Sequence, residues 1–362
     1  MSEGAKTTVT TQSPAGREYY MDIARVLSMV SVIMIHVGAI TWYDGPFSIY
    51  PWGVTNLFDI LSRYCVPVFL MMSGYLFLDP NRNISVRKMY TRYLPRLLAA
   101  FFFWSFLYAI ITSGFLTQRT FSEEVVSKFI HNLFFGHYHM WYMYIIVGMY
   151  IITPALRGLV KDRQALRYFL IAAYVISYLI PNIMMLPHIY EHVGLYFNRL
   201  EFAFVSGYVF YYAAGYYVAT EEFTDKQKKL IYLLGLIGLL GTVITMTTYV
   251  LVTQYPNSVY HEYYTAGIPL YSIAVFIFFR DRFANVDPQS KPMKVIMWLS
   301  RLSFGVYMAH DFGLIVFKKL GLVTTMCTPF ISMPLLTLMD LAITVFIVWV
   351  VSLIPGLKKW VI

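Results

Sequence analysis

The chain has 362 residues, 58% of them hydrophobic and only 13% charged, with a net charge of +9. Its mean hydropathy of +0.59 is that of a polytopic membrane protein and excludes an ordinary soluble domain. The positive balance does not indicate a nucleic-acid partner, because the basic residues sit in short segments between apolar stretches, as the positive-inside rule requires.

Met1 to Glu18 is polar, rich in Thr and Ser, and has no apolar h-region. It reads as a flexible cytoplasmic tail before an uncleaved first span, with residues 19–362 as one transmembrane domain. That span, Tyr19 to Tyr43, exceeds the roughly 20 apolar residues a bilayer crossing needs, yet it carries Asp22, Arg25 and His36. An ionisable residue inside the membrane is a functional candidate by default. Arg25 and His36 are eleven positions apart, which is about 16 Å and roughly three helical turns, so both fall on nearly one face. The plain alternative is that Arg25 snorkels to lipid phosphates and His36 is a packed polar residue hydrogen-bonded to another helix.

The fold expected is all-α, with about ten transmembrane helices at roughly 20–43, 51–79, 93–116, 138–158, 165–187, 200–220, 229–253, 263–280, 294–317 and 330–355. Pro51, Pro95, Pro154, Pro181, Pro269 and Pro334 lie near span ends or kink them. Phe121 to Gly136 is too short and polar to span and reads as an amphipathic helix along the outer surface. Arg and Lys concentrate in the tails and in alternate loops, among them Arg82, Arg87, Arg92 and Arg96, then Arg157 and Lys161, then Lys226 and Lys228, then Arg280 and Lys291. Both termini are therefore expected to be cytoplasmic. Cys65 in a span and Cys327 in a loop give neither a disulfide framework nor a metal pattern.

With that orientation, His36, Arg63, His310 and Asp340, on four different spans, reach a similar depth, with Asp311 beside them and Glu201 shallower on the outer side. Such groups face a bundle interior or a watery cavity and pair with one another; Asp59 and Arg63, one turn apart, also suit simple mutual neutralisation. Near the inner surface lie Asp22, Arg25, Arg92, Arg96 and Arg301. Guanidinium groups clustered there suit a phosphate-rich ligand, although positive-inside bias accounts for Arg92 equally well. A neutral imidazole deeper in the bundle can take a proton from a hydroxyl that attacks a thioester.

The segment RVLSMVSVIMIH, from Arg25 to His36, resembles the Arg-x10-His signature of the acyltransferase 3 family. SRYCVPVFLMMSGYLFL (Ser62 to Leu78), HMWYMYIIVGMYIITPALR (His139 to Arg157) and SRLSFGVYMAH (Ser300 to His310) resemble three further stretches of that family, in the family's order. The resemblance implies a membrane O-acyltransferase using cytoplasmic acyl-CoA, most simply acetyl-CoA as cosubstrate, with a cell-surface or lipid-linked glycan as acceptor, in a bacterial cytoplasmic membrane. It implies that Arg25 and His36 are needed for activity and that Arg63 is the arginine of the second-span motif. A chain that ends at Ile362, soon after its tenth span, is expected to lack the C-terminal hydrolase-like domain of many members. It then looks like the stand-alone members that O-acetylate enterobacterial common antigen or exopolysaccharide.

The expected chemistry places the donor phosphates at Arg25, with Asp22, Arg92, Arg96 and Arg301 nearby, and His36 as general base. Arg63 stabilises the oxyanion, Asp340 or Asp311 orients an imidazole, and His310 completes the buried layer. Glu201, Trp141 and Tyr142 are candidate acceptor contacts. A transporter or flippase for a glycan, lipid or amino acid fits the ten spans and the polar layer too, although Pro67 in the second span has no clear mate of the kind inverted repeats supply. A zinc site at His131, His137 and His139 is set aside because i,i+2 residues do not share a helix face, and no metal is expected. His188, Glu191, His192, Tyr260, His261 and Glu262 in the outer loops either line the acceptor entrance or, the reading favoured, are ordinary solvated loop residues.

Overall fold

The computed structural model describes residues 17–43, 47, 50–82, 84–115, 122–185, 189, 197 and 207–361. Among these there are helices and turns but no strand. Among the described residues, seven helical runs are long and apolar enough to cross a membrane: Tyr19–Ala39, Trp52–Leu78, Val86–Thr112, Glu123–Leu159, Arg163–Met184, Asp225–Thr253 and Pro329–Ser352. Helices also stand at the other three expected positions, at Tyr208–Thr220, Gly267–Arg282 and Lys291–Ala309, but they are shorter or less apolar.

Helix α1 (Tyr19–Ala39) is the axis of the bundle. Of its most apolar window 67% is buried, against 22% for Asp225–Thr253. It packs on α2 (Trp52–Ser62), α3 (Cys65–Leu78), α11 (Lys291–Ala309) and α13 (Pro329–Ser352). The outer helices turn large apolar side chains outward, such as Leu233, Ile237 and Ile244, or Leu338 and Phe346, as contact with hydrocarbon requires.

The second expected span is two helices. The chain breaks at Arg63–Tyr64, between α2 and α3. Pro67 causes this: it has no N–H for the carbonyl four residues earlier, and its ring crowds that carbonyl, which belongs to Arg63. The same effect takes a milder form twice. In α4 (Val86–Thr112) a π-turn at Met89–Tyr93 precedes Pro95, and in α7 (Arg163–Met184) one at Val175–Leu179 precedes Pro181. Each proline removes one i→i−4 bond, and the helix widens locally to absorb the loss. The ninth expected span also breaks, at His310, between α11 and α12 (Asp311–Leu320).

The stretch before the fourth expected span forms α5 (Glu123–Phe135), capped by Ser122 and packed on α4. It ends at Gly136 with φ +72°, where the chain turns through Tyr138–Met140 into α6 (Trp141–Leu159). Helix α8 (Tyr208–Thr220) crosses α3 at two glycines. A Cβ on Gly74 would lie 1.7 Å from the Tyr212 carbonyl oxygen, and one on Gly215 would lie 2.0 Å from that of Met71. The two backbones therefore touch, the contact that small residues allow between membrane helices. Helices α9 (Asp225–Thr253), α10 (Gly267–Arg282) and α14 (Leu357–Val361) complete the described set.

Two readings change. His261, expected as a solvated loop residue, is buried, because the loop before α10 folds back over the break at Arg63. Arg17 and Glu18, at the end of the expected tail, are tied to the bundle: Arg17 binds Asp22, and Glu18 accepts a hydrogen bond from Tyr75. Glu201, His188, Glu191 and His192 lie outside the described residues.

Candidate active site

A cavity of about 470 Å3 runs beside α1. Arg25, Arg96 and Arg301 line it, together with Ser300, Ser303, Tyr93 and Tyr150. Arg96 and Arg301 are exposed, while Arg25 is half-buried. The lining continues through Val32, Val66 and Phe69 to Tyr142 and Tyr307. The cavity thus has a cationic end and an apolar, aromatic end. Arg92 is exposed on the π-turn of α4 and is not among the lining residues.

Asp22 is not among the lining residues and holds Arg25 in place. Arg17 Nε and Nη2 donate to its carboxylate at 2.9 and 3.0 Å. Ser300 Oγ donates to Asp22 Oδ1 at 2.6 Å and accepts from Arg25 Nη1 at 3.0 Å. One carboxylate between two guanidinium groups leaves a net positive charge at this end, which suits a polyanionic ligand.

Past the aromatic end lies a group of imidazoles. His36 is one turn beyond Val32 on α1, and His310 one turn beyond Tyr307 on α11. Their rings are 4.9 Å apart, and His139 is 4.7 Å from His310 and 6.2 Å from His36. Tyr138 stands 5.5 Å from His36 and donates to Asp311 Oδ1 at 2.7 Å. The tautomers follow from acceptor-only partners. His310 Nδ1 is 2.7 Å from the Tyr307 carbonyl, so it carries the proton, and Nε2 keeps a lone pair with no hydrogen-bond partner among the described residues. His139 Nε2 is 3.3 Å from the Met308 carbonyl, which leaves its Nδ1 as the lone-pair nitrogen. The sequence offers His139 only as a zinc ligand, set aside, and as the head of a family-like stretch; its place beside His36 depends on the turn at Tyr138–Met140.

Arg63 and Asp340 border this group without joining it. Arg63 donates through Nε and Nη2 to Asp59, at 2.9 and 3.2 Å, and its Nη2 is 3.2 Å from His261 Nε2. Its guanidinium lies over the Tyr263 ring, 5.5 Å from the centroid. His261 Nδ1 stands 3.0 Å from Asp59 Oδ2; burial and the Arg63 charge hold this imidazole below its usual pKa, so it is neutral. Asp340 is buried against Gly313, where a Cβ would come within 1.9 Å of Oδ1, and it lies near Thr344 and Asp311. Trp141 packs on Tyr208 and Tyr263 at 5.8 and 5.7 Å, beside Arg63.

Because Asp59 and Arg63 are both nearly inaccessible, removing one leaves the other as an uncompensated buried charge. Asp59→Ala is expected to destabilise the protein by about 3–5 kcal/mol. Chemical unfolding in detergent measures this, and a midpoint equal to wild type would show that water already reaches Arg63.

His131 is not near this group: it stacks on Phe135 at the end of α5. His137 and His139, in contrast, are on the turn and not on an α-helix, so the reason for separating them fails. Their Nδ1 atoms are 3.2 Å apart, and His137 Nδ1 is 3.4 Å from Asp311 Oδ2.

These features define a multi-pass membrane protein, all-helical among the described residues, with a cationic cavity whose aromatic end lies a turn below a group of imidazoles. The chain belongs to the acyltransferase 3 family, whose model, an acyltransferase domain, matches residues 18–354. It is accordingly a membrane acyltransferase. No curated protein and no solved structure matched it.

Proposed function

We propose that this acyltransferase moves an acyl group, most simply acetyl, from acyl-CoA to a hydroxyl of a cell-surface or lipid-linked glycan. The observation that carries the reading is the joining of two unlike ends by one cavity: three arginines at one, and the aromatic floor beneath His36 and His310 at the other. The donor's phosphates bind Arg25, Arg96 and Arg301, and its thioester arm lies along Val32, Val66 and Phe69. His36 takes the hydroxyl proton as the oxygen attacks the thioester carbonyl. The carbon–sulfur bond breaks, and the leaving thiolate takes up a proton to become the free thiol. Arg63 is the candidate donor to the oxyanion, since its Nη1 is not used by Asp59 or His261. His310 Nε2, with its lone pair, is placed to share the proton with His36. Asp340 and Asp311 lie behind the imidazoles as candidates to orient one, and Trp141 and Tyr142 offer faces for a sugar ring.

In the same reading the chain crosses a bacterial cytoplasmic membrane about ten times with both termini inside, as its Lys and Arg distribution suggests, so the arginine end opens to cytoplasmic acyl-CoA. The test is acetyl-CoA binding and thiol release by purified protein, with and without a glycan extract. Arg25→Ala should weaken binding about ten- to hundredfold, the loss of one charge-assisted bond at about 1.5–3 kcal/mol. Wild type that binds no acyl-CoA, acetyl or longer, would defeat the proposal at its donor. Acyl groups trapped on the protein in a single turnover would replace direct transfer by a covalent acyl-histidine route.

A further inference from the structure

The geometry points to a divalent-metal site made by His137, His139 and Asp311, with zinc as the ion that fits first. It stands on the side-chain geometry of these three residues and does not depend on the acyl-transfer reading.

His137 caps the turn Tyr138–Met140 just after Gly136, whose positive φ redirects the chain. That turn aims both imidazoles to the same side, which an α-helix would not. Asp311 heads α12, immediately after the break at His310. One ligand atom from each of the three lies within 4.8 Å of the others. Zinc binds imidazole nitrogen and carboxylate oxygen at roughly 2.0–2.2 Å, so two ligands of a tetrahedral ion stand about 3.3–3.5 Å apart. The observed separations of 3.2 Å between the two Nδ1 atoms and 3.4 Å to Asp311 Oδ2 match such edges. The third edge, at most 4.8 Å, closes to that length with a movement of up to about 1.5 Å shared between the two side chains.

Proton counting favours an ion over hydrogen bonds alone. His139 Nδ1 carries a lone pair, because Nε2–H is committed to the Met308 carbonyl. Asp311 Oδ2 is an acceptor, with Oδ1 already bound by the Tyr138 hydroxyl. Only His137 Nδ1 can bring a proton, and a single N–H faces both acceptors. A cation satisfies all three lone pairs together. The carbonyl of Met308 and the hydroxyl of Tyr138 then act as the outer partners that fix ligand orientation in metal sites. Two imidazoles and one carboxylate select zinc and neighbouring transition ions over magnesium or calcium, and leave a fourth position for water. His139 and Asp311 are buried while the His137 side chain is 15% exposed, so that edge is the way in.

The experiment uses the full chain, purified through a tag free of histidine and without chelator, then dialysed. Elemental analysis should give about one equivalent of metal per chain. Cobalt(II) added after chelator treatment should give the intense visible bands of tetrahedral nitrogen and oxygen ligation. His137→Ala and Asp311→Asn should each lower bound metal at least about tenfold, while His131→Ala keeps it. Size-exclusion profiles identify any variant that misfolds, and the wild-type cobalt spectrum decides the matter even if both do. Wild type without metal and without the cobalt bands overturns the site, as does metal retained in both variants. Acyl-CoA binding, measured on the same samples, separates either failure from failure of the proposed function.

Discussion

His36→Ala is expected to reduce acyl transfer by a factor of about 100 to 10,000, the range that a positioned general base contributes. Donor binding should change little. His36 touches the rings of Tyr138, His139 and His310, whereas the arginine end of the cavity is held by Asp22 and Ser300, about 16 Å away along the helix. The expected pattern is therefore a fall in turnover with an unchanged acyl-CoA dissociation constant. The measurement is thiol release at saturating donor, beside equilibrium binding on the same preparation. Arg25→Ala should give the opposite pattern, weaker binding with turnover largely restored at high donor concentration. Near-normal turnover in His36→Ala would move the base to His310 and leave the family membership untouched. Loss of binding and turnover together would mean that the imidazole group holds the bundle in shape.

The second large effect concerns folding. Gly74→Ala and Gly215→Ala are each expected to abolish the folded protein, or to lower its yield in membranes by an order of magnitude. Overpacking a core with a methylene costs about 1–3 kcal/mol where side chains can move aside. Here the added carbon meets backbone, at 1.7 Å from the Tyr212 oxygen or 2.0 Å from the Met71 oxygen, and no rotamer relieves it. Helices α3 and α8 would have to separate, and α3 also carries Val66 and Phe69 of the cavity wall. Gly148→Ala is the control, since a Cβ there meets nothing within 4 Å. Fluorescence-detected size exclusion of the three variants, tagged at the C-terminus, makes the comparison. Equal monodisperse yields would show that the two helices tolerate a wider crossing.

Much of this architecture can be read from residue order. Apolar runs of bilayer length mark the long helices, and the period of the helix places Arg25 and His36 on one face before any fold is known. The pairing of Asp59 with Arg63 is equally local, one turn apart on a single segment. What escapes is whatever depends on interrupted helices. His139 reaches His36 only because a tight turn follows Gly136, and the spacing His-x-His, judged as helix, argues against the geometry it has. His261 was legible only as a polar loop residue; its burial follows from the bend at Arg63, which Pro67 sets from four positions away. Ser300 is an ordinary small residue in sequence, and its link between Asp22 and Arg25 appears when α11 packs on α1. The arginines differ as well. Arg96 and Arg301, on two different helices, line the cavity and Arg92, on the π-turn of α4, does not.

The unbroken run of α1 from Tyr19 to Ala39 has a consequence for donor choice. On the proposed reading, the site that grips phosphate and the base that works on the acyl carbon are two marks on one continuous helical rod, about 16 Å apart. Such a rod is a gauge of length. A donor whose charged head and reactive carbon are separated by a long, slender arm can meet both marks at once. A compact acyl phosphate, with the two ends nearly adjacent, can meet only one. Selectivity for the carrier would then be set by the number of residues between Arg25 and His36, and inserting one turn there would change which donors the enzyme can read.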